Sequence, residues 1–194
     1  MIRIVDDSDA PAITDLYRPI VESTAISFET EPPTEEEIRR RIRDLSARYP
    51  WLVYEVSGDL VGFAYASKHK VRAAYQWSVD VSTYVHPELR RRGIARSLYV
   101  SLFAILIEQG YFNAFAGIAL PNPASVALHE SMGFKPLGVF QNVGYKLGAW
   151  HSVGCWQLAL RSPEPSPRTP LDLLTLQERS DWGMLLAKGL AHGG

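Results

Sequence analysis

The hydrophobic and polar positions of this chain follow two spacings that alternate along its length. Apolar residues three or four positions apart predict helices, and extended or alternating apolar runs predict strands. The predicted helices cover about 10–23, 34–48, 94–109 and 124–131. The predicted strands cover 2–5, 51–56, 60–67, 75–85, 111–120, 134–143 and 152–160. This mixture of elements predicts an α/β fold.

The last part of the chain, 162–194, has a different composition. Residues 162–170 contain four prolines, which is typical of a linker. Residues 171–190 carry leucines and Trp182 at amphipathic spacing, which predicts one or two short helices. We therefore divide the chain into a domain over 1–161 and a proline-rich linker with an amphipathic extension over 162–194. The extension either docks on the domain, mediates oligomer contacts or stays mobile, and its apolar content favours docking.

Composition excludes several classes of protein. The net charge is −1, so a role in binding nucleic acid or an acidic membrane is not indicated. The single cysteine, Cys155, excludes an intrachain disulfide and favours the reducing cytoplasm. The first residues turn acidic at once and lack the apolar core of a signal peptide. We expect no membrane span, and the five histidines show no metal-ligand spacing.

The stretch 83–96 changes from an apolar strand to a basic loop and then to a long helix. Backbone N–H groups at a helix N-terminus attract phosphate, and Gly93 lets the backbone approach such a ligand. The spacing fits neither a P-loop nor a dinucleotide-binding fingerprint. The alternative is a solvated helix start with several arginines. The residues predicted to bind the ligand are Thr83, Tyr84, Val85, Arg91, Arg92, Gly93, Ile94, Ala95 and Arg96.

The pattern Arg90-x-x-Gly93-x-Ala95 resembles the acetyl-CoA pyrophosphate loop of the GNAT superfamily of N-acetyltransferases. Residues 120–134 add an asparagine, a short helix and Gly-Phe at the spacing of that superfamily. Further stretches resemble the phosphinothricin acetyltransferase family, namely 28–32, 48–53, 62–66, 74–77, 144–146 and 150–154. The resemblance covers about residues 2–160. It implies a GNAT fold with a mixed, mostly antiparallel central sheet flanked by helices, acetyl-CoA as co-substrate and a homodimer.

The resemblance also implies roles for single residues. Asp80 takes the position of the acidic residue that deprotonates the amine, where glutamate is more common in the family; its alternative role is a hydrogen bond within the sheet. His129 takes the position of a residue that protonates the leaving thiolate, a role that Tyr145 shares as a candidate, and its alternative role is structural. Asn122 either binds the pantetheine arm or caps a helix. Ser131 is expected near the cofactor.

The acceptor pocket implied by the resemblance contains Phe28, Arg72 and Tyr75, and Arg72 is a candidate partner for a carboxylate. The alternatives are core packing for the two aromatic residues and a solvated side chain for Arg72. The implied reaction is direct acetylation, in a ternary complex, of a small amino-acid-like amine such as phosphinothricin or methionine sulfoximine. Gln76 and Leu147 depart from the family pattern. Two alternatives therefore stay open: another amine (a polyamine, an aminoglycoside or a protein N-terminus), or a non-catalytic acyl-CoA-binding module.

Overall fold

A computed structural model describes residues 1–192 and consists of one seven-stranded sheet with helices on both faces. The strands are β1 (Ile2–Ile4), β2 (Trp51–Val56), β3 (Asp59–Lys68), β4 (Ser78–Val85), β5 (Asn113–Leu120), β6 (Lys135–Lys146) and β7 (Ala149–Ala159). The helices are α1 (Ala10–Ser23), α2 (Glu35–Ser46), α3 (Ile94–Gln109), α4 (Pro123–Ser131), α5 (Leu173–Gln177) and α6 (Trp182–Ala187). The strand order is β1-β2-β3-β4-β5-β7-β6. The predicted α/β architecture with a mixed, mostly antiparallel sheet is confirmed.

The sheet opens in its middle, between β4 and β5. These two strands form the parallel pair of the sheet, and they pair only from Ser78 to Asp80 and from Asn113 to Phe115. β4 then continues beside β3 to Val85, while β5 continues beside β7 to Leu120. The two strands therefore diverge beyond Asp80, and the gap between them is the feature that positions the candidate site.

Two hydrophobic clusters cover the two faces of the sheet. On one face, α3 packs through Leu98 and Leu102 against Val79 and Val81 of β4. On the other face, α1 and α2 form a second cluster in which Tyr17 contacts Phe63 and Tyr84. Successive side chains of a strand point to opposite faces. The side chains of Asp80, Ser82 and Tyr84 therefore point away from α3.

The C-terminal extension packs on α3. Leu173, Leu176 and Leu185 are buried in the α3 cluster. The Ser101 hydroxyl donates to the Leu186 carbonyl at 2.6 Å and accepts from the Gly189 N–H at 3.0 Å. The extension thus docks on the domain, as its apolar content favours, whereas the division of the chain at residue 161 stays a prediction.

Several predicted boundaries were wrong. The strand predicted from residue 75 begins at Ser78, because Ala73–Tyr75 forms a 3-10 turn. The strand predicted from residue 111 begins at Asn113, and the helix predicted to residue 48 ends at Ser46. The last two strands are longer than predicted.

The last two strands form one long hairpin. It closes at Leu147 and Gly148, whose φ values are 51° and 77°. Positive φ at both central residues is the geometry of a tight β-turn that follows the strand twist. This turn was not predicted from the sequence, because leucine is an unusual residue in that conformation.

None of the helices in the described part of the chain is long and apolar enough to cross a membrane. Within residues 1–192 there is also no cluster of histidine, cysteine, aspartate and glutamate side chains that would hold a metal ion.

Candidate active site

The N-terminus of α3 is open toward a cleft. Gly93 is the N-cap residue with a φ of 77°, and Arg91 before it also has a positive φ of 62°. The first helical bond joins the Ser97 N–H to the Gly93 carbonyl at 2.9 Å. The N–H groups of the first turn precede this bond, and no side chain of the described residues caps them. The first turn also lacks an acidic residue, so this helix end attracts anions.

A cleft of about 470 Å³ begins at this helix end. It lies between the end of β4, the basic loop, the first turn of α3 and one face of α4. Every residue predicted to bind the cofactor lines it except Arg92; they are Thr83, Tyr84, Val85, Arg91, Gly93, Ile94, Ala95, Arg96, Asn122 and Ser131. Arg92 is exposed outside the cleft, and Arg90 contributes instead. The predicted residues therefore surround one cleft, but the sequence did not indicate which of Arg90, Arg91 and Arg92 face it.

The free edge of β4 supplies backbone donors to the gap. The His86 N–H donates to the Val61 carbonyl on the β3 side at 2.8 Å. Backbone N–H groups alternate between the two sides of a strand, so those of Thr83 and Val85 point to the opposite side, toward β5. β5 has already diverged at this level. These two N–H groups can therefore bind an extended ligand chain.

Asn122 begins α4 and caps it. Its side-chain oxygen accepts a hydrogen bond from the Ser125 N–H at 3.1 Å, so the helix-cap interpretation is correct. A cap uses only the oxygen of the amide, and Asn122 also lines the cleft. Its NH2 group is thus available to a ligand. Ser131, at the other end of α4, lines the cleft but donates its hydroxyl to the Leu128 carbonyl at 2.8 Å.

A second, smaller cavity of about 50 Å³ lies between the diverging strands. Val81–Tyr84 and Gly117 are among its lining residues on β4 and β5. It shares Thr83, Tyr84, Asn122 and Ser125 with the larger cleft. The shared walls mean that a long ligand in the cleft can extend its end into the sheet.

His129 forms a wall of this small cavity and is 4% exposed. Its Nδ1 lies 2.8 Å from the Ser125 carbonyl oxygen, and its Nε2 lies 3.0 Å from the Tyr99 hydroxyl. A carbonyl only accepts, so Nδ1 carries the proton and Nε2 accepts from Tyr99. Burial lowers the pKa of His129 below its ordinary value. The imidazole is therefore neutral, and both of its nitrogens are hydrogen-bonded.

Asp80 stands at the point where β4 and β5 separate. Its side chain is half-exposed, and its Oδ1 lies 2.7 Å from Nδ1 of His69. Burial raises the pKa of Asp80, and the hydrogen bond from His69 opposes that rise. A carboxylate with a raised pKa is a better proton acceptor near neutral pH than an ordinary aspartate.

His69 was missed by sequence reasoning, because it lies between the predicted strands 60–67 and 75–85. The residue follows β3, and the pairing of Ser67 with Asp80 in the sheet brings it beside the carboxylate. No sequence motif marks this pair, because its two members lie eleven positions apart and meet only through the strand register.

The three predicted acceptor residues do not form one cluster. Tyr75 packs edge-on against His69 with 5.9 Å between ring centroids, so it lies beside the His69–Asp80 pair. Arg72 is exposed at the start of the 3-10 turn, and none of the described residues pairs with its guanidinium group. Phe28 lies instead over Gly144 of β6, with its ring centroid 6.3 Å from that of His151 on β7.

These features define a class of protein: a domain whose cleft attracts anions at a helix N-terminus and continues into the gap of a split sheet, with a carboxylate at the point where the two strands separate. The chain belongs to the family described as Acetyltransferase (GNAT) domain, which matches residues 2–152.

Individual proteins support this assignment. The chain is 40% identical over 164 residues to the phosphinothricin N-acetyltransferase of Streptomyces viridochromogenes, covering 84% of this chain and 90% of that protein. It is 32% identical over 163 residues to the L-methionine sulfoximine/L-methionine sulfone acetyltransferase of Salmonella typhimurium, covering 82% and 94% of the two chains. Its fold matches the crystal structure of a GNAT superfamily phosphinothricin acetyltransferase from Sinorhizobium meliloti in complex with AcCoA. The TM-score of that match is 0.82, with 29% identity, covering 89% of this chain and 97% of that chain.

The chain is therefore an N-acetyltransferase that uses acetyl-CoA. The uncapped helix end, the arginines of the cleft and the free edge of β4 fit the diphosphate and the extended arm of this substrate.

Proposed function

We propose that this enzyme acetylates the amino group of a small amino-acid-like substrate such as phosphinothricin or methionine sulfoximine. The relatives that share the full domain carry these activities in their names. The observation that carries the proposal is the half-exposed Asp80 carboxylate at the divergence of β4 and β5. It stands where an amine would meet a thioester that enters the gap from the cleft. Acetylation would cancel the charge of the amine, so a role in resistance to such compounds follows from the same proposal.

The proposed chemistry is direct transfer in a ternary complex. A primary amine is mostly protonated at neutral pH, with a pKa of about 10, and must lose a proton before it attacks. Asp80 accepts that proton, directly or through a water molecule. The amine then attacks the acetyl carbonyl, and a backbone N–H of Thr83 or Val85 donates to the developing oxyanion. Holding both substrates side by side supplies a further part of the rate gain.

Protonation of the leaving thiolate is the second proton transfer. We propose His129 as the donor in its minor imidazolium form, which passes the Nδ1 proton to the thiolate and returns to the neutral imidazole. Nδ1 lies 2.8 Å from the Ser125 carbonyl oxygen and 3.3 Å from the Ser125 hydroxyl. Tyr145, the alternative, is 59% exposed on β6 and packs against Trp150. A thiol is acidic enough to leave without much assistance, so the contribution of His129 to the rate is small compared with that of Asp80.

The acceptor carboxylate is proposed to bind Arg72. This arginine is exposed near Tyr75, which contacts the His69–Asp80 pair, and it has no competing acidic partner within residues 1–192. Lys68 at the end of β3 and Lys70 in the connection precede it, and their charge disfavours a polyamine. Phe28 would form the opposite wall of the acceptor site. A location in the cytoplasm stays a prediction from the single cysteine.

A homodimer is proposed through the β6–β7 hairpin. β6 is the last strand of the sheet, so one of its edges is unpaired in the described chain. Leu137, Phe140, Val143 and Trp150 of the hairpin are each more than half exposed. Exposed apolar patches and free strand edges mark association surfaces. Light scattering after size-exclusion chromatography should give a dimer for the wild type and a monomer for Phe140→Asp, whereas a monomeric wild type would reject this interface.

The test of the substrate is a thiol-release assay with acetyl-CoA and a panel of amines: phosphinothricin, methionine sulfoximine, aspartate, spermidine and kanamycin. The proposal predicts rapid release with the first two amines and little with the last two. Faster turnover of spermidine or kanamycin would reject the amino-acid-like substrate while leaving the acetyltransferase assignment in place.

A further inference from the structure

Within residues 1–192, one side chain holds the Asp80 carboxylate, namely the imidazole of His69. Nδ1 of His69 lies 2.7 Å from Oδ1 of Asp80. An ionised carboxylate only accepts hydrogen bonds, so Nδ1 carries the proton of this pair. A short hydrogen bond to an ionised group is stronger than one between neutral groups. The second oxygen, Oδ2, has no partner among the described residues and belongs to a side chain that is 46% exposed.

Two aromatic rings hold the His69 imidazole in place. The Phe115 ring on β5 stacks on it, with 4.1 Å between centroids and an angle of 9° between the planes. Tyr75 contacts it edge-on. Phe115 is also the residue that pairs with Asp80 in the sheet, at the last point of contact between β4 and β5. The imidazole is therefore fixed relative to the strand that carries the carboxylate.

We propose that His69 is a positioning residue for amine deprotonation: its Nδ1–H fixes Oδ1 of Asp80 and directs Oδ2 toward the acceptor amine. The proposal rests on the acetyl-transfer function proposed above. In the step it serves, one N–H bond of the substrate ammonium breaks and one O–H bond forms on Oδ2. The Nδ1–H of His69 keeps its hydrogen bond to Oδ1 throughout the step. After acetyl transfer, the proton leaves Oδ2 for solvent.

The hydrogen bond also sets the pH at which Asp80 is ionised. The hydrogen bond from His69 favours the charged carboxylate and opposes the effect of burial, which raises its pKa. The other charged or titratable groups that face the pair are Lys70 from the same connection, Tyr65 from β3 and Tyr75 from the 3-10 turn. β5 contributes only the uncharged Phe115. When the His69 hydrogen bond is lost, little opposes the effect of burial on the pKa of Asp80. The pKa of Asp80 therefore rises further.

Two substitutions at one position separate the hydrogen bond from the packing. His69→Phe keeps a flat ring that can stack on Phe115 and removes the donor. His69→Asn keeps an N–H donor at the position of Nδ1 and removes the ring. The readout is the pH dependence of kcat/KM for the amine that the wild type acetylates fastest.

Asp80 acts in its ionised form, so the rate rises with pH through its pKa. For His69→Phe we expect the acid limb to move upward by about one pH unit, with about a tenfold loss on that limb and recovery at high pH. His69→Asn should return the acid limb most of the way to its wild-type position. An acid limb that does not move in His69→Phe, or equal losses at every pH in both variants, would overturn the proposal.

A second measurement needs no substrate and therefore separates this inference from the proposed function. The 15N chemical shifts of the His69 ring report which nitrogen carries the proton, and the spectrum of His69→Phe identifies the signals. We expect Nδ1–H in the wild type and a shift toward Nε2–H in Asp80→Ala. If His69 has the same tautomer in both proteins, the proposed hydrogen bond between His69 and Asp80 is overturned. Absence of turnover on every amine would instead reject the proposed function and, with it, the catalytic part of this inference.

Discussion

The imidazole of His129 on α4 and the hydroxyl of Tyr99 on α3 are joined by a 3.0 Å hydrogen bond in the core of the molecule. Tyr99 is fully buried, and its ring packs against Phe103 and Phe134. The bond connects the wall of the small cavity to the helix whose N-terminus forms the candidate diphosphate site. His129 therefore has a structural function whether or not it also donates a proton.

Replacement of His129 should destabilise the protein. In His129→Leu the Tyr99 hydroxyl loses its partner inside the core, which costs about 1–3 kcal/mol of unfolding free energy. Chemical denaturation of the wild type and the variant measures this loss. An unchanged midpoint and slope would show that the bond contributes nothing to stability.

The same residue gives the folded state a pH dependence. Burial lowers the pKa of His129 from its ordinary value of 6.5, so the unfolded chain binds a proton more readily than the folded one. Its contribution to stability is complete above pH 6.5 and declines as the pH falls toward the lowered pKa. We expect the melting temperature of the wild type to decrease more than that of His129→Leu between pH 7 and pH 5. Parallel curves for the two proteins would contradict this assignment.

Gly93 and Gly148 provide a matched pair for testing the diphosphate site. Both have a φ of 77°, but Gly93 begins α3 at the cleft, whereas Gly148 closes the β6–β7 turn with no atom near an added Cβ. Alanine at either position should cost about 1 kcal/mol of backbone strain. Only Gly93→Ala should also raise the KM for acetyl-CoA severalfold, because Gly93 lines the cleft and Gly148 does not. Equal KM values for the two variants would place the diphosphate elsewhere.

The C-terminal extension should contribute to stability through a few leucines. Leu176 is fully buried against the α3 cluster, whereas Leu174, two positions away, is 58% exposed. Leu176→Ala should lower the unfolding free energy by about 2–5 kcal/mol, and Leu174→Ala by less than about 1 kcal/mol. Thermal or urea unfolding of the two variants measures the difference. Similar losses would mean that the extension detaches from α3 in solution.

The candidate cofactor cleft could be predicted from the sequence because its parts are consecutive. A strand, a basic loop with Gly93 and a long helix follow each other within residues 83–109, so local patterns were sufficient. The role of Asn122 as a helix cap was similarly local. The exclusion of Arg92 from the cleft was not, because it depends on the left-handed backbone at Arg91, which turns successive side chains in different directions.

The acceptor side of the site could not be predicted to the same degree. The His69–Asp80 pair depends on the register between β3 and β4, and its stacking on Phe115 depends on the parallel pairing of β4 with β5. The separation of Phe28 from Arg72 and Tyr75 depends on the hairpin β6–β7, whose long strands were predicted as shorter ones. These are long-range relationships, and no local spacing encodes them.

The central claim is that Asp80 accepts the proton of the acceptor amine, and the most direct measurement compares kcat/KM for phosphinothricin in the wild type and Asp80→Asn. The amide keeps the size of the side chain but cannot accept the proton at neutral pH. A general base contributes about 10²–10⁴-fold, so we predict a loss in that range while the Kd for acetyl-CoA stays within about twofold. A loss of less than about fivefold, with acetyl-CoA still bound, would contradict the assignment of Asp80 as the base.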